Sequence, residues 1–320
     1  MQLHLPNSAF IGNIDAFLGS FDPSDSGKLE ITANKKWISV HPVALSMTAA
    51  LGLTVDSEDI SCEPFEAKSR HYFERMGLFK LLGIASGIKV IEREPAGRFI
   101  PLTQIRNSVE LTDFIAEMVP LLHLEPIQAE PLKYVVAELV RNVFEHSCSP
   151  FGAIICAQYY PDTKIIRIGI ADTGVGIKRT ISQSYATGKD VSAIKLALVP
   201  GVTGTTTRIG GTETNAGAGL FFIKSIAKVG RNFFMVYSGD ALYKLLRTEQ
   251  DRPVRLYPDP DKDKHSEKEK LPYWQGTVVG VDIGLEQEAD FTTLLSLIRK
   301  AYSEGVKERK QLRYKKARFV

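Results

Sequence analysis

The stretch Ile165-Ile-Arg-Ile-Gly-Ile-Ala-Asp-Thr-Gly-Val-Gly-Ile177 decides how this chain reads. Ile165–Ile170 is apolar and rich in β-branched residues, which predicts a strand. At the strand's end stands Asp172, followed by Gly174 and Gly176. Glycines spaced by one residue let the backbone approach a flat ligand while the carboxylate accepts hydrogen bonds from the ligand's edge. The dinucleotide fingerprint GxGxxG is excluded, because the third glycine is missing and the acid precedes the others. Taken alone, the same residues make an ordinary Asp-Gly turn.

Working outward, Leu132, Val135, Val136, Leu139, Val140, Val143 and Phe144 recur at helical spacing upstream. They form one apolar stripe of a helix expected over Pro131–His146. Glu138 and Asn142 are four apart, so they stack along the stripe's edge. A carboxylate there can accept a proton from a nucleophile, and a carboxamide can ligate a metal. Any amphipathic helix offers some such pair, so the pair carries weight only in company.

Downstream, Gly210-Gly-Thr-Glu-Thr-Asn-Ala-Gly-Ala-Gly-Leu220 leads into an apolar helix over Leu220–Val229. Small residues at a helix start leave backbone N–H groups and the positive dipole end free for phosphate oxygens. No GxxxxGK[ST] occurs, which excludes a P-loop. Last comes Trp274-Gln-Gly-Thr-Val-Val-Gly-Val-Asp-Ile283, where Gly276-Thr277 opens a strand over Thr277–Ile283.

In this order the four stretches resemble the GHKL superfamily of ATPases and kinases, the Bergerat fold, from about Leu111 to Leu285. Glu138–Asn142 looks like the N-box, Asp172–Gly176 like the G1 box, Gly217–Leu220 like the G2 box, and Gly276-Thr277 like the final GT strand. The resemblance implies ATP and magnesium as ligands. Asp172 would take the adenine amino group, aided by Thr277, and Asn142 would coordinate magnesium. Gly174 and Gly176 would lie along the base with Ile177 beside them, and Gly217, Gly219 and Leu220 would cradle the phosphates. Glu138 would be the general base, and Lys178–Ala216 the mobile lid. Glu138-Leu-Val-Arg-Asn142-Val-Phe-Glu-His146 most resembles the anti-sigma-factor serine kinases of bacteria. An ATPase, a serine/threonine kinase acting on a partner protein, a non-catalytic nucleotide-gated binding module and a DNA-associated switch using the basic tail all remain open. Histidine autokinase activity is not expected, since His123 lacks the flanking pattern of a phosphoacceptor and is followed by Pro126 and Pro131.

The fold class expected is α+β. A C-terminal Bergerat α/β sandwich, a mixed sheet with helices on one face, spans 106–288. A smaller α/β accessory domain occupies 1–105, and a basic helical tail 289–320. Pro95, Gly97 and Pro101 mark the first boundary. In the N-terminal part, Leu29–Thr32 and Trp37–Val40 read as strands, Pro42 to Gly52 as a helix, and His71–Leu82 as an amphipathic helix. A strand ending at Val40, a helix from Pro42 and Tyr72–Gly77 resemble STAS-like domains. His41-Pro42 stands where those carry Asp-Ser-Ser, and an unrelated accessory domain fits equally well. Asp259–Lys270 is nearly all charged and predicts a solvated loop. It opens like an EF-hand, but the central glycine is absent and Lys270 takes the closing position.

Bulk properties exclude other classes. The 320 residues are 44% hydrophobic and carry a net charge of only +3, too little to imply nucleic acid. The basic run Lys307–Val320 holds seven basic residues and one acid, with Tyr314 and Phe319 its only aromatics. A solvated or partner-docking tail fits it better than a nucleic-acid grip. The three cysteines have no CxxC spacing, so reduced thiols are expected rather than zinc. With no long apolar run and no signal-peptide pattern, a cytoplasmic protein without a membrane partner is expected.

Overall fold

A computed structural model describes residues 1–88, 98–210, 217–285 and 291–314 of the chain. The Ile165 run is a central strand in a seven-stranded sheet. In chain order its strands are β6 (Phe99–Ile105), β7 (Ala153–Tyr160), β8 (Ile165–Asp172), β9 (Phe234–Gly239), β10 (Ala241–Leu245), β11 (His265–Lys268) and β12 (Trp274–Gly284). They lie in the order β11-β10-β9-β12-β8-β7-β6. Strands β1 (Gln2–Leu5), β3 (Leu29–Ala33) and β5 (Ile60–Cys62) make a small parallel sheet, and β2 (Ser8–Ala9) pairs with β4 (Ser39–Val40). The protein is α+β, as expected. The large sheet, however, is antiparallel throughout rather than mixed, and parallel pairing is confined to the N-terminal sheets. Its neighbours in space are joined by hairpins or by returns that reverse direction, and none needs a parallel crossover.

One face of the large sheet is covered by α5 (Ser108–Leu122), α6 (Pro126–Asn142), α7 (Gly176–Ile181), α8 (Asp190–Ala197), α9 (Gly219–Val229) and α10 (Phe291–Tyr314). The stripe residues Leu132, Val135, Val136, Leu139 and Val140 of α6 are buried there. The other face is covered by the N-terminal part, whose helices are α1 (Asp15–Gly19), α2 (Pro42–Gly52), α3 (Arg70–Arg75) and α4 (Leu78–Leu82). Every residue of α2 is buried. This explains why β8 is apolar on both sides: it is sandwiched. Gly169 of β8 pairs with Gly280 of β12, and together they make a flat seat for α2. A Cβ on Gly169 would overlap the backbone of Val43, and Ser46 Oγ donates to the Gly169 carbonyl at 2.8 Å. Gly169→Ala is therefore expected to cost about 3 kcal/mol in urea unfolding, at the upper end of overpacking penalties. A loss under ~0.5 kcal/mol would show that α2 is not seated as described.

The same interface buries charge. His41 caps α2, its Nδ1 accepting from the Val43 N–H at 3.0 Å, and its Nε2 lies 3.0 Å from Asp282. Since Nδ1 accepts, Nε2 carries the proton and donates to Asp282. Burial pushes His41 below its ordinary pKa, which suits this neutral form. Arg167 is held between the rings of Phe10 and Tyr160 at 4.5 and 4.1 Å, within reach of Asp282.

Several elements differ from expectation. The helix expected over His71–Leu82 is two short helices, α3 and α4, because Gly77 takes φ +76° and breaks the run. Strand β6 was not expected, since Pro101 suggests a break. Proline is tolerated on an edge strand, and the register shifts between Ile100 and Thr103 around it. Helix α6 begins at Pro126, earlier than Pro131, with Gln128 and Glu125 forming a capping box. Strand β4 keeps only Ser39–Val40 of the longer run.

The solvated loop expected over Asp259–Lys270 is the largest correction. It contains β11 and a buried Asp263, whose carboxylate takes both Lys224 and Lys228 of α9. Two lysines four apart on one helix face meet two oxygens of one acid, which is how a charge survives burial. Pro95 and Gly97, where the first boundary is expected, lie outside the described residues. So do 211–216 of the expected lid and 315–320 of the basic tail.

Candidate functional site

Antiparallel register sets the floor of the site. Asp172 at the end of β8 stands opposite Thr277 of β12, which stands opposite Ser238 of β9. Directly opposed residues share a face, so the three side chains form one row. Asp172 is almost wholly buried. Its Oδ1 accepts from the Gly174 N–H at 2.8 Å, and the Thr277 N–H also donates to it. Burial outweighs these donors and pushes the carboxyl up to about 7.

The strand end is held from behind. The Asp172 carbonyl accepts from the Trp274 indole N–H at 3.1 Å. Gly276 sits at a register shift in β12 with φ +113°, and a Cβ there would overlap the Asp172 carbonyl. Only glycine fits that approach. Ser238 Oγ donates to the Gly276 carbonyl at 2.6 Å and accepts from the Ile177 N–H at 3.0 Å. The Gly276-Thr277 motif thus shapes the pocket through its backbone as much as through Thr277.

Helix α6 supplies the wall. It runs on into a π-turn, Val143–Ser147, a wider coil that carries the Ser147 carbonyl to the β8 loop. That carbonyl accepts from the Val175 N–H at 2.7 Å, and a Cβ on Gly174 would overlap it. Glu138 and Asn142 project from α6 toward the start of α9. A Cβ built on Gly219 would lie 3.0 Å from Glu138 Oε2 and 3.4 Å from Asn142 Nδ2. Asn142 Nδ2 is buried and makes no hydrogen bond within the protein. Glu138 lies 3.5 Å from Arg141, yet burial raises its carboxyl above the usual range.

These parts enclose one cavity of about 330 Å³, within the range of small-molecule sites. Glu138, Asn142, Asp172 and Thr277 line it, as do Gly176, Ile177, Gly217, Gly219 and Leu220. Of the residues singled out in sequence, Gly174 alone is not in the lining; it packs against the Ser147 carbonyl instead. The structure therefore brings together groups from α6, β8, α9 and β12 that are distant in sequence. No protein-family model matches this chain, and no curated protein matches it.

Several lining residues lay outside the sequence reading of the site. Tyr134 stands one helical turn before Glu138, and Thr180 and Thr203 enter from the expected lid. His146 also lines the cavity, and burial lowers its pKa. A helical-period count could have found Tyr134, because it shares the Glu138 face at i+4 spacing. Ser238 carries no local signal; only strand register brings it to Gly276.

Chemically, the cavity offers a hydrogen-bond acceptor at one end and free helix N–H groups at the other. Between them stand the Glu138 carboxylate and the Asn142 carboxamide. Away from it, Asp261, His265 and Glu267 form the one cluster of metal-ligand type found among the described residues. Lys195 already bridges its two carboxylates, at 2.8 and 3.2 Å, so the cluster is an ion-pair network tying α8 to β11. No described helix is long and apolar enough to cross a membrane.

Proposed function

We propose that this protein binds ATP with magnesium in the cavity and uses it as a GHKL protein does in a bacterial regulatory switch. The use is hydrolysis or phosphoryl transfer to a partner protein. One observation carries the reading: Glu138, Asn142, Asp172, Gly219 and Thr277 meet around a single cavity. Asp172 would accept from the adenine amino group, and the Gly174 N–H on its Oδ1 holds the carboxylate in place. The start of α9 would take the phosphates on its free N–H groups. Asn142 lines the cavity beside Gly219, and its carboxamide oxygen is the atom that would ligate magnesium. When bound, magnesium would offset phosphate charge. Glu138 would accept the proton of water or of a partner's hydroxyl, and a carboxyl raised by burial suits that role near neutrality.

The ion pair of Glu138 with Arg141 favours a second reading, a nucleotide-gated binding module without turnover. In that case closure of the lid around ATP changes affinity for a protein partner.

The first experiment is calorimetric titration with ATP and excess magnesium at pH 8 and pH 6. With the Asp172 carboxyl at about 7 in the empty site, a ligand that needs the ionised form loses affinity as pH falls through that value. The expected loss is ~10-fold, the fraction left ionised one unit below the pKa. A flat profile would remove Asp172 from the ligand contact, and absent binding would remove the ATP reading. In the ligand-free protein, the folded form holds a proton that the unfolded chain gives up at about 4. Stability therefore falls as pH rises from there to about 7.

A further inference from the structure

Helix α10 packs along two helices that wall the cavity, α6 and α9, and reaches the turn at Gly201. Its 24 residues span about 36 Å at 1.5 Å per residue. Phe291 at its start packs on Tyr134 of α6, ring centres 6.1 Å apart. Tyr302 packs on Phe221 and Phe222 in the first turn of α9, at 6.2 and 5.9 Å. Further along, Val306 covers the turn at Gly201: a Cβ on Gly201 would lie 2.9 Å from Val306 Cγ2. Arg309 Nη1 donates to the Pro200 carbonyl at 3.1 Å.

That turn is the support of the phosphate-binding loop. The Gly201 N–H donates to the Gly217 carbonyl at 3.0 Å, and the Gly201 carbonyl accepts from the Gly210 N–H at 3.1 Å. The Val306 contact and the Arg309 hydrogen bond thus hold α10 on the turn, and the Gly201 N–H links the turn to Gly217. Gly305 marks how close the packing is. A Cβ there would sit 2.6 Å from Pro258 Cβ and 3.3 Å from Pro200 Cγ. Glycine inside a helix is less favourable than alanine, so a close approach is what the glycine permits. Pro258 is itself anchored, since its neighbour Tyr257 receives the Lys228 ammonium over its ring at 4.4 Å.

We propose that α10 is a regulatory clamp on the phosphate-binding loop. Docked, it presses the Gly201 turn onto Gly217 and slows nucleotide release; lifted, it lets the loop open. The reading rests on the proposed ATP site, and it adds that nucleotide dwell time is set by the docking of the C-terminal helix. A partner that competes for the inner face of α10 would then discharge the nucleotide without touching the cavity.

The test uses the full chain as wild type, Val306→Asp and Gly305→Ala. Hydrogen exchange of the Gly201 and Gly210 amides is followed without nucleotide, and release of a fluorescent ATP analogue with magnesium is followed by stopped flow. Both variants are expected to exchange at those amides at least ~10-fold faster and to release the analogue faster by a similar factor. Protection in α6 should be unchanged. Gly305→Ala separates clamp from unfolding, because alanine strengthens the helix while spoiling its seat. Loosening with α10 still protected supports the clamp. Unchanged exchange and release in both variants overturns it, as does loosening seen only where α10 has melted. If the analogue fails to bind wild type while the amides still loosen, the ATP reading falls and the mechanical link stands.

Discussion

Asp172→Asn is expected to weaken ATP binding by about 100-fold or more while leaving the fold intact. The substitution keeps one oxygen for the Gly174 N–H, which now reaches Asp172 Oδ1 at 2.8 Å. It places an amide N–H₂ where an acceptor faced the adenine amino group, so two donors oppose each other in a buried site. An unpaired buried donor costs ~1–3 kcal/mol, and 100-fold is about 2.7 kcal/mol. The thermal midpoint at pH 8 should not fall, since the wild-type carboxyl is strained by burial there and the amide is not. Calorimetry and a melting curve on the same sample decide it. Undiminished affinity would refute the pocket, and lost affinity with a melted protein would show only that the variant does not fold.

Glu138→Ala has the other large expected effect. Phosphate release, or transfer to a partner, should fall ~10²–10⁴-fold, the contribution of a positioned general base. ATP affinity should stay within a few-fold, because the adenine and phosphate ends of the cavity are formed by other residues. Equal background rates in wild type and variant, with binding intact, would leave the nucleotide-gated module as the reading. Both outcomes are measurable in one coupled phosphate assay. The experiment separates catalysis from binding because Glu138 lies at the α9 end of the cavity and Asp172 at the sheet end.

How much of this was legible in the chain depends on the range of the interaction involved. Helix α6 was readable because its stripe repeats within a few turns, and that stripe alone puts Glu138 and Asn142 on one edge. The start of α9 and strand β8 were readable for the same local reason. Gly174 was not, because its environment is the Ser147 carbonyl, carried there by a π-turn that no periodicity announces. Asp259–Lys270 looked solvated because charge counts do not reveal partners. The lysines that bury Asp263 stand at Lys224 and Lys228, in a helix whose apolar run gave no hint of them.

By itself, then, the sequence of this protein determined its local conformations and the order of its candidate groups. Those follow from side-chain period, β-branching, capping and glycine placement, which act over a few residues. Tertiary structure decided what those groups face. It set Thr277 opposite Asp172 by strand register, brought Gly219 to Glu138 by packing α9 on α6, and seated α2 on Gly169. It also laid α10 over the Gly201 turn. Each of these joins segments far apart in the chain, where burial and shape, not local propensity, choose the neighbour.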